Sequence, residues 1–322
     1  MMLSVNNIVR SVKRLSNTSN INKFNILTMC NHNEKYIELL SQTDHNFYLP
    51  ENTEWNSLVA SKPNNVQTLN LSCEPLDFII CYDRAEQYDE AEKLAKSLFL
   101  PIILVDMCGK DLIRPQHIME TVEARDRSLL NKSPILQISC SEYIQKQWNY
   151  NDSINQVIPI GIDTEKFKDT PEDKETLITI DNHTIPQVGQ ALESRLNQYK
   201  CIPTDHKDTN NISVNRAKYF INTNKTVTIK LLEAMSAGAV VISFKTPDIE
   251  DVIESEKTGI VIDNIESLAE TIDRLEGSND LIRQIQNNAR NLVIEKHSLD
   301  IFIDKWSAVL ELIRPAFYIP HR

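Results

Sequence analysis

Strand-like and helix-like segments alternate along this chain, and that order predicts an α/β fold built on parallel sheets. Two further observations support it. The strands are short apolar runs, as expected when helices cover both faces of a sheet. Near the middle, the Pro- and Gly-punctuated segment VIPIGIDTEKF (157–167) and the charged run KDTPEDKE interrupt the alternation. That interruption predicts a crossing between two domains of roughly 150 residues each.

In the first half KFNILTM (23–29), DFIICY (77–82), PIILVDM (101–107) and ILQISCS (135–141) read as strands. RAEQYDEAEKLAKSLFL, between the second and third, has apolar or small residues at helical spacing. The second half repeats the alternation with TLITI, a helix around QVGQALESRLN, KCIP, KYFINT, a helix ending at Gly238, AVVISF and GIVI. Helical patterning from Ile265 to Ile313 closes the chain, with Pro315 as the expected stop. No strand is followed by G-x-G-x-x-G, so a nicotinamide-dependent oxidoreductase is a poor reading.

Composition narrows the function classes. The 322 residues, 41% hydrophobic and 25% charged, are those of an ordinary soluble protein. No apolar run approaches the ~20 residues that span a bilayer, so no stable membrane insertion is expected, and no secretory signal is visible. The six cysteines (Cys30, Cys73, Cys81, Cys108, Cys140, Cys201) are scattered without a C-x-x-C pair, which favours a reducing, cytoplasmic setting over metal or disulfide frameworks. A net charge of −11 argues against a broad nucleic-acid face. The stretch before Glu34 is the local exception: it lacks acidic residues and carries Arg10, Lys13, Arg14 and Lys23. Within it SVNNIVRSVKRLS has apolar residues at helical spacing, which suits a packed helix, a membrane-surface or acceptor-binding helix, or a targeting peptide. Six glycines beside abundant Asn and Ile fit an AT-rich genome, as in a virus or a low-GC bacterium.

The most informative stretch is TNKTVTIKLLEAMSAGAVVISF (223–244). In open parallel sheets ligands sit at the carboxyl ends of strands, where the next helix begins. The first N–H groups of a helix lack intrahelical partners and its dipole is positive there, so an anion such as a diphosphate is stabilised. Thr226, Val227 and Thr228 stand at that point, and the small threonines leave the N–H groups approachable. Val227, Leu231, Leu232, Ala234 and Met235 make the helix apolar over most of its circumference, while Thr226, Lys230, Glu233 and Ala237 share one stripe. A surface Lys230–Glu233 pair explains the stripe, and so does a cleft lining in which Glu233 accepts hydrogen bonds from a ligand's hydroxyls.

These residues resemble the retaining GT-B glycosyltransferases of the large family-four group. The similarity lies in KLLEAMSAGAVVIS, EKTGIVI (256–262), ISCSEYIQKQW (138–148) and VIPIGIDTEKF, in matching order and spacing. ILTMCNHNEKYIELLSQTDHNFYL also resembles glycosyltransferases of tailed phages. The resemblance implies two Rossmann-like domains facing across a cleft. One would span 1–160 and regain the C-terminal helix from about 304 to 322; the other, 161–303, would hold a UDP-, GDP- or similar nucleotide-sugar donor. It implies no catalytic metal and no further cofactor. Glu233 would hold the donor ribose, Thr226, Val227 and Thr228 the diphosphate, and the loop from Thr204 and Asp205 to His206 the nucleobase. The acceptor would lie mainly on the first domain. A hydroxymethylated DNA base and a cell-surface glycan both fit, and oligomeric state stays open.

Departures from the family pattern direct attention to other residues. Where the family carries the first acid of a Glu-x7-Glu pair, this chain has Lys225, and the usual Gly-Arg followed by Lys is replaced by ITIDNHTIPQ. Lys225 is therefore a candidate to compensate the diphosphate, with Arg216 or Lys218 as a second cation. The usual diglycine is replaced around Pro247–Asp248, with Asp251 near the family acid. The histidine common after the PIILVDM strand is absent; Asp106 is the nearest ionisable group, and His32 is another candidate. The expected activity is sugar transfer to an acceptor hydroxyl with retention, resting on positioning and charge stabilisation. The competing expectation is a degenerate GT-B protein that binds nucleotide or glycan without transfer.

Overall fold

The computed structural model describes residues 23–29, 33–70, 75–82, 85–109, 123, 134–148, 155–169, 175–181, 200–204 and 212–317. The basic N-terminal stretch and the QVGQALESRLN segment lie outside them. The chain divides into two compact units, Met1–Pro159 with Ile303–Arg322, and Ile160–Phe302.

The first unit is built on seven strands: β1 (Asn25–Thr28), β2 (Asn46–Leu49), β3 (Val66–Thr68), β4 (Phe78–Tyr82), β5 (Ile102–Asp106), β6 (Pro134–Ser139) and β7 (Asn155–Val157). All pair in parallel, in the order β3-β2-β1-β4-β5-β6-β7. The order reverses between β1 and β4, which makes their carboxyl ends the topological switch point. Both are buried throughout; of the helices α1 (Glu34–Leu40), α2 (Ala85–Leu98) and α3 (Glu142–Trp148), α2 packs on β4 and β5 and α3 on β6 and β7. At this point the Thr28 and Tyr82 hydroxyls are 3.0 Å apart, and the Tyr82 ring meets Tyr36 edge-on. Trp306, on the C-terminal helix α9 (Leu299–Phe317), donates to the Tyr36 hydroxyl at 3.3 Å.

The second unit holds β8 (Glu175–Asp181), β9 (Lys200–Thr204), β10 (Ala217–Asn222), β11 (Val240–Phe244) and β12 (Ile260–Ile262), again parallel, in the order β12-β11-β10-β8-β9. Here the switch point lies between β8 and β10. Its helices are α4 (Ile212–Arg216), α5 (Ile229–Ser236), α6 (Pro247–Glu250), α7 (Ser267–Glu276) and α8 (Asn279–His297). Tyr219, Ile221, Val240, Ile242 and Ile260 on the strands pack with Leu268, Ile272, Leu275, Ile282 and Ile285 on α7 and α8. The chain enters this unit beside the point where α8 ends: Ile162 donates to the His297 carbonyl at 2.7 Å and accepts from Leu299 at 2.9 Å. Gly161 is required there, since a Cβ would lie 2.4 Å from Cβ of Phe302.

Four elements differ from the sequence expectation. Strands β3 and β7, the two edges of the sheet, carry exposed or polar residues, so no buried apolar run marks them, whereas β2 holds the short buried run Phe47–Leu49, which the sequence expectation did not include. The closing helix continues through Pro315 to Phe317. A proline so near a helix end removes one hydrogen bond with only two residues left to lose, and the buried face of Phe302, Trp306, Val309 and Leu310 holds the helix in place.

Candidate functional site

The carboxyl end of β10 leads into a loop that neighbouring side chains hold at several points. Asn222, buried at the strand's last position, donates to the Asn224 carbonyl at 3.0 Å and to Ser243 Oγ on β11 at 2.8 Å. Its Oδ1 accepts from the Asn224 amide, so the asparagine itself turns the chain out of the strand. Thr246 donates to the Lys225 carbonyl at 2.8 Å, and Asp248 Oδ2 accepts from the Val227 amide at 2.8 Å. Thr223 Oγ1 is buried here with no hydrogen-bond partner.

Helix α5 starts later than the sequence suggests. Thr228 is extended (φ −108°, ψ 159°) and its side chain accepts from the Leu231 amide, which makes it the N-cap. Thr226 therefore belongs to the loop, and the helical stripe reduces to Lys230, Glu233 and Ala237. The Val227 N–H, expected to be open to a phosphate, is engaged by the Asp248 carboxylate. At its other end α5 closes in a Schellman motif, with Ala239 donating to Ala234 and Gly238 to Met235. Gly238 supplies the required positive φ of 75°. Arg290 on α8 donates to the carbonyls of Ser236 and Phe167, which places a cation at the negative end of the helix dipole.

Glu233 is only 1% exposed, so it is not a surface residue. Lys230 stands 3.8 Å from its Oε2, with 23% of the lysine side chain exposed. At this distance the Lys230 ammonium acts on the buried carboxylate through its charge.

The structure brings Lys225, Thr226, Val227, Thr228, Lys230 and Glu233 together on this loop and helix. Thr204 ends β9, on the same carboxyl edge of the sheet. Arg216 does not join them. It closes α4 immediately before β10, at the opposite edge, and the six residues of β10 separate it from Asn222 by about 20 Å. Lys218 is also at that far edge, bonded to both oxygens of Glu276 at 2.8 Å. The reason is the parallel sheet itself, which sends the two ends of β10 to opposite edges. Asp205 and His32 lie outside the described residues. Asp106 is in the first unit, fully buried at the end of β5, where its carbonyl accepts from Cys140 at 2.9 Å. The same carboxyl edge of that unit carries three buried polar atoms without a hydrogen bond: Glu34 Oε2, Gln87 Nε2 and Ser139 Oγ.

Sequence reasoning noted Asp248 only as a departure and did not single out Thr246. The signal was present: Thr-Pro-Asp is an N-cap followed by proline at the first helical position, and Thr246 caps α6 in this way. Among the described residues no group of three or more His, Cys, Asp or Glu is placed to hold a metal ion, and no helix is long and apolar enough to cross a membrane.

Comparison with known proteins adds to this geometry. Residues 195–307, which include the whole loop and α5, match a family model described as glycosyl transferase-like. No curated protein matches the chain by sequence. Among solved structures, HepE of Anabaena in complex with UDP and glucose superposes with a TM-score of 0.70 at 13% identity, over 90% of this chain and 100% of that one. Sucrose-phosphate synthase from Thermosynechococcus elongatus gives 0.70 at 12% identity, over 91% and 100%. The α,α-trehalose-phosphate synthase (UDP-forming) of Burkholderia vietnamiensis gives 0.62 at 8% identity, over 91% and 99%. Together with two parallel sheets that each reverse strand order, these likenesses show that the chain has the GT-B fold.

Proposed function

We propose that this protein is a glycosyltransferase that moves a sugar from a nucleotide-diphosphate sugar to an acceptor hydroxyl. The observation that carries the reading is the β10–loop–α5 segment, with Glu233 buried behind a helix N-terminus at the end of the strand beside the switch point. A carboxylate there accepts from two ribose hydroxyls, and the helix N-terminus stabilises the diphosphate leaving group. Lys225, exposed in the loop, supplies the cation that the sequence lacks elsewhere. The segment falls within the matched family region, and structural neighbours are complexes with UDP and with UDP-glucose, which makes UDP-sugars the first donors to try. Transfer with retention and without a catalytic metal follows from the family-four resemblance. The acceptor, a hydroxymethylated DNA base or a cell-surface glycan, would meet the polar carboxyl edge of the first unit.

A panel of UDP-, GDP- and other nucleotide sugars tests this directly. Transfer, or slow donor hydrolysis with release of the nucleoside diphosphate, is expected for one donor, and its product anomer read by NMR decides retention. Nucleotide binding without turnover would favour the second reading, a binding protein that has kept the fold. The observation behind that alternative is the Val227 amide, already occupied by a carboxylate of the chain itself.

A further inference from the structure

Asp248 is neither exposed nor idle. Its carboxylate is 1% exposed and accepts from the Val227 amide at 2.8 Å, in the loop that precedes α5. On the reading proposed above, on which this inference rests, that loop offers its N–H groups to the donor diphosphate. A backbone amide has a single hydrogen, so Val227 cannot serve the carboxylate and a phosphate oxygen fully at once. A buried negative charge beside the seat also opposes a dianionic or trianionic ligand, and burial makes that opposition stronger than it would be in water. The neighbouring contact sharpens the point. Thr246, two residues earlier, fixes the Lys225 carbonyl at 2.8 Å, so α6 grips the loop both through a neutral hydroxyl and through a charged carboxylate. The neutral contact suffices to hold a loop; the charged one additionally sets its electrostatics.

We infer that Asp248 is a resident anion in the diphosphate seat: it holds the Val227 amide in the empty protein, must release it for a nucleotide diphosphate to bind fully, and thereby lowers affinity for diphosphates specifically.

Asp248→Asn and Asp248→Ser keep an acceptor for Val227 and remove the charge, and thermal melting first checks that each variant folds. Binding of UDP, GDP, inorganic pyrophosphate, uridine and guanosine is then measured by calorimetry on the full chain. The expected result is about tenfold tighter binding of the diphosphate-bearing probes, equal to about 1.4 kcal/mol, with nucleoside binding changed less than about twofold. Glu250→Gln removes an equal charge from the same short helix, where Glu250 pairs with Lys245 at 3.4 Å, and is expected to leave all probes unchanged. Unchanged or weaker diphosphate binding in the two Asp248 variants, with the wild type binding normally, overturns the inference and leaves the proposed function standing. Loss of folding in both variants also overturns it, by showing that the carboxylate is a structural clamp. If no diphosphate binds the wild type or any variant, the inference and the proposed function fall together.

Discussion

Lys230 faces Glu233 across 3.8 Å on a helix that lies in the matched family region and starts at the carboxyl edge of the sheet, and only the lysine reaches solvent. Removing either partner tests a different part of the proposal. Glu233→Gln keeps the shape and loses the charge that receives two hydroxyls, so UDP binding should weaken tenfold or more, about 1.5–3 kcal/mol for charge-assisted hydrogen bonds, as read by calorimetry. Lys230→Met instead removes the cation that stands 3.8 Å from the buried carboxylate. Its primary effect should be on stability, about 1–3 kcal/mol by urea denaturation, given that the lysine is partly hydrated.

Lys225 separates a ligand role from a structural one. Its ammonium is exposed, and the contact from Thr246 is to its backbone carbonyl, which an alanine retains. Lys225→Ala should therefore leave the melting temperature unchanged and weaken UDP binding roughly five- to tenfold, about 1–1.4 kcal/mol. Uridine affinity should be unaffected. Equal UDP binding in the variant would remove Lys225 from the site.

Gly238 marks the joint between α5 and β11. Its φ is 75°, and a Cβ built there lies 2.5 Å from the Asp169 carboxyl carbon. Gly238→Ala combines the left-handed penalty of about 1–2 kcal/mol with displacement of that side chain. A loss of at least about 2 kcal/mol is expected in denaturant unfolding.

The Tyr36 hydroxyl gives a pH signature. Burial pushes its pKa well above the ordinary 10.0, and Cys140 and Tyr82 add to the effect. The unfolded chain releases this proton near pH 10, whereas the folded protein keeps it. The stability contribution is thus complete below about pH 10 and is lost above it, by about 1.4 kcal/mol per pH unit until the native hydroxyl ionises. Tyr36→Phe should cost about 1 kcal/mol at neutral pH through the lost Trp306 hydrogen bond, and should flatten the alkaline slope. Urea midpoints at about pH 8 and about pH 11 decide this.

Much of this architecture was legible because burial writes itself as apolar runs. Strands β1, β4 and β5, buried throughout, and β10 and β11, buried at all but one residue each, coincide with KFNILTM, DFIICY, PIILVDM, KYFINT and AVVISF. The edge strands β3 and β7 of the first sheet were not legible, since their residues are exposed or only half-buried and carry no burial signal, whereas the edges β9 and β12 of the second sheet were read as KCIP and GIVI. In the site, periodicity put Lys230 and Glu233 on one stripe of α5 but left open whether that stripe faces water, and the resemblance alone singled out Glu233 for a ligand. The late start of α5 was not legible, because Thr226 and Thr228 both offered a cap and only geometry selects Thr228. Arg216 failed for a topological reason: proximity in sequence to a strand's start means distance from its end.

The hydrogen bonds joining Ile160 and Ile162 to His297 and Leu299 have a consequence for modularity. They bring the first and last residues of the second unit side by side, so its chain leaves where it came in. That unit is in effect a closed excursion of the polypeptide, begun and ended at neighbouring points.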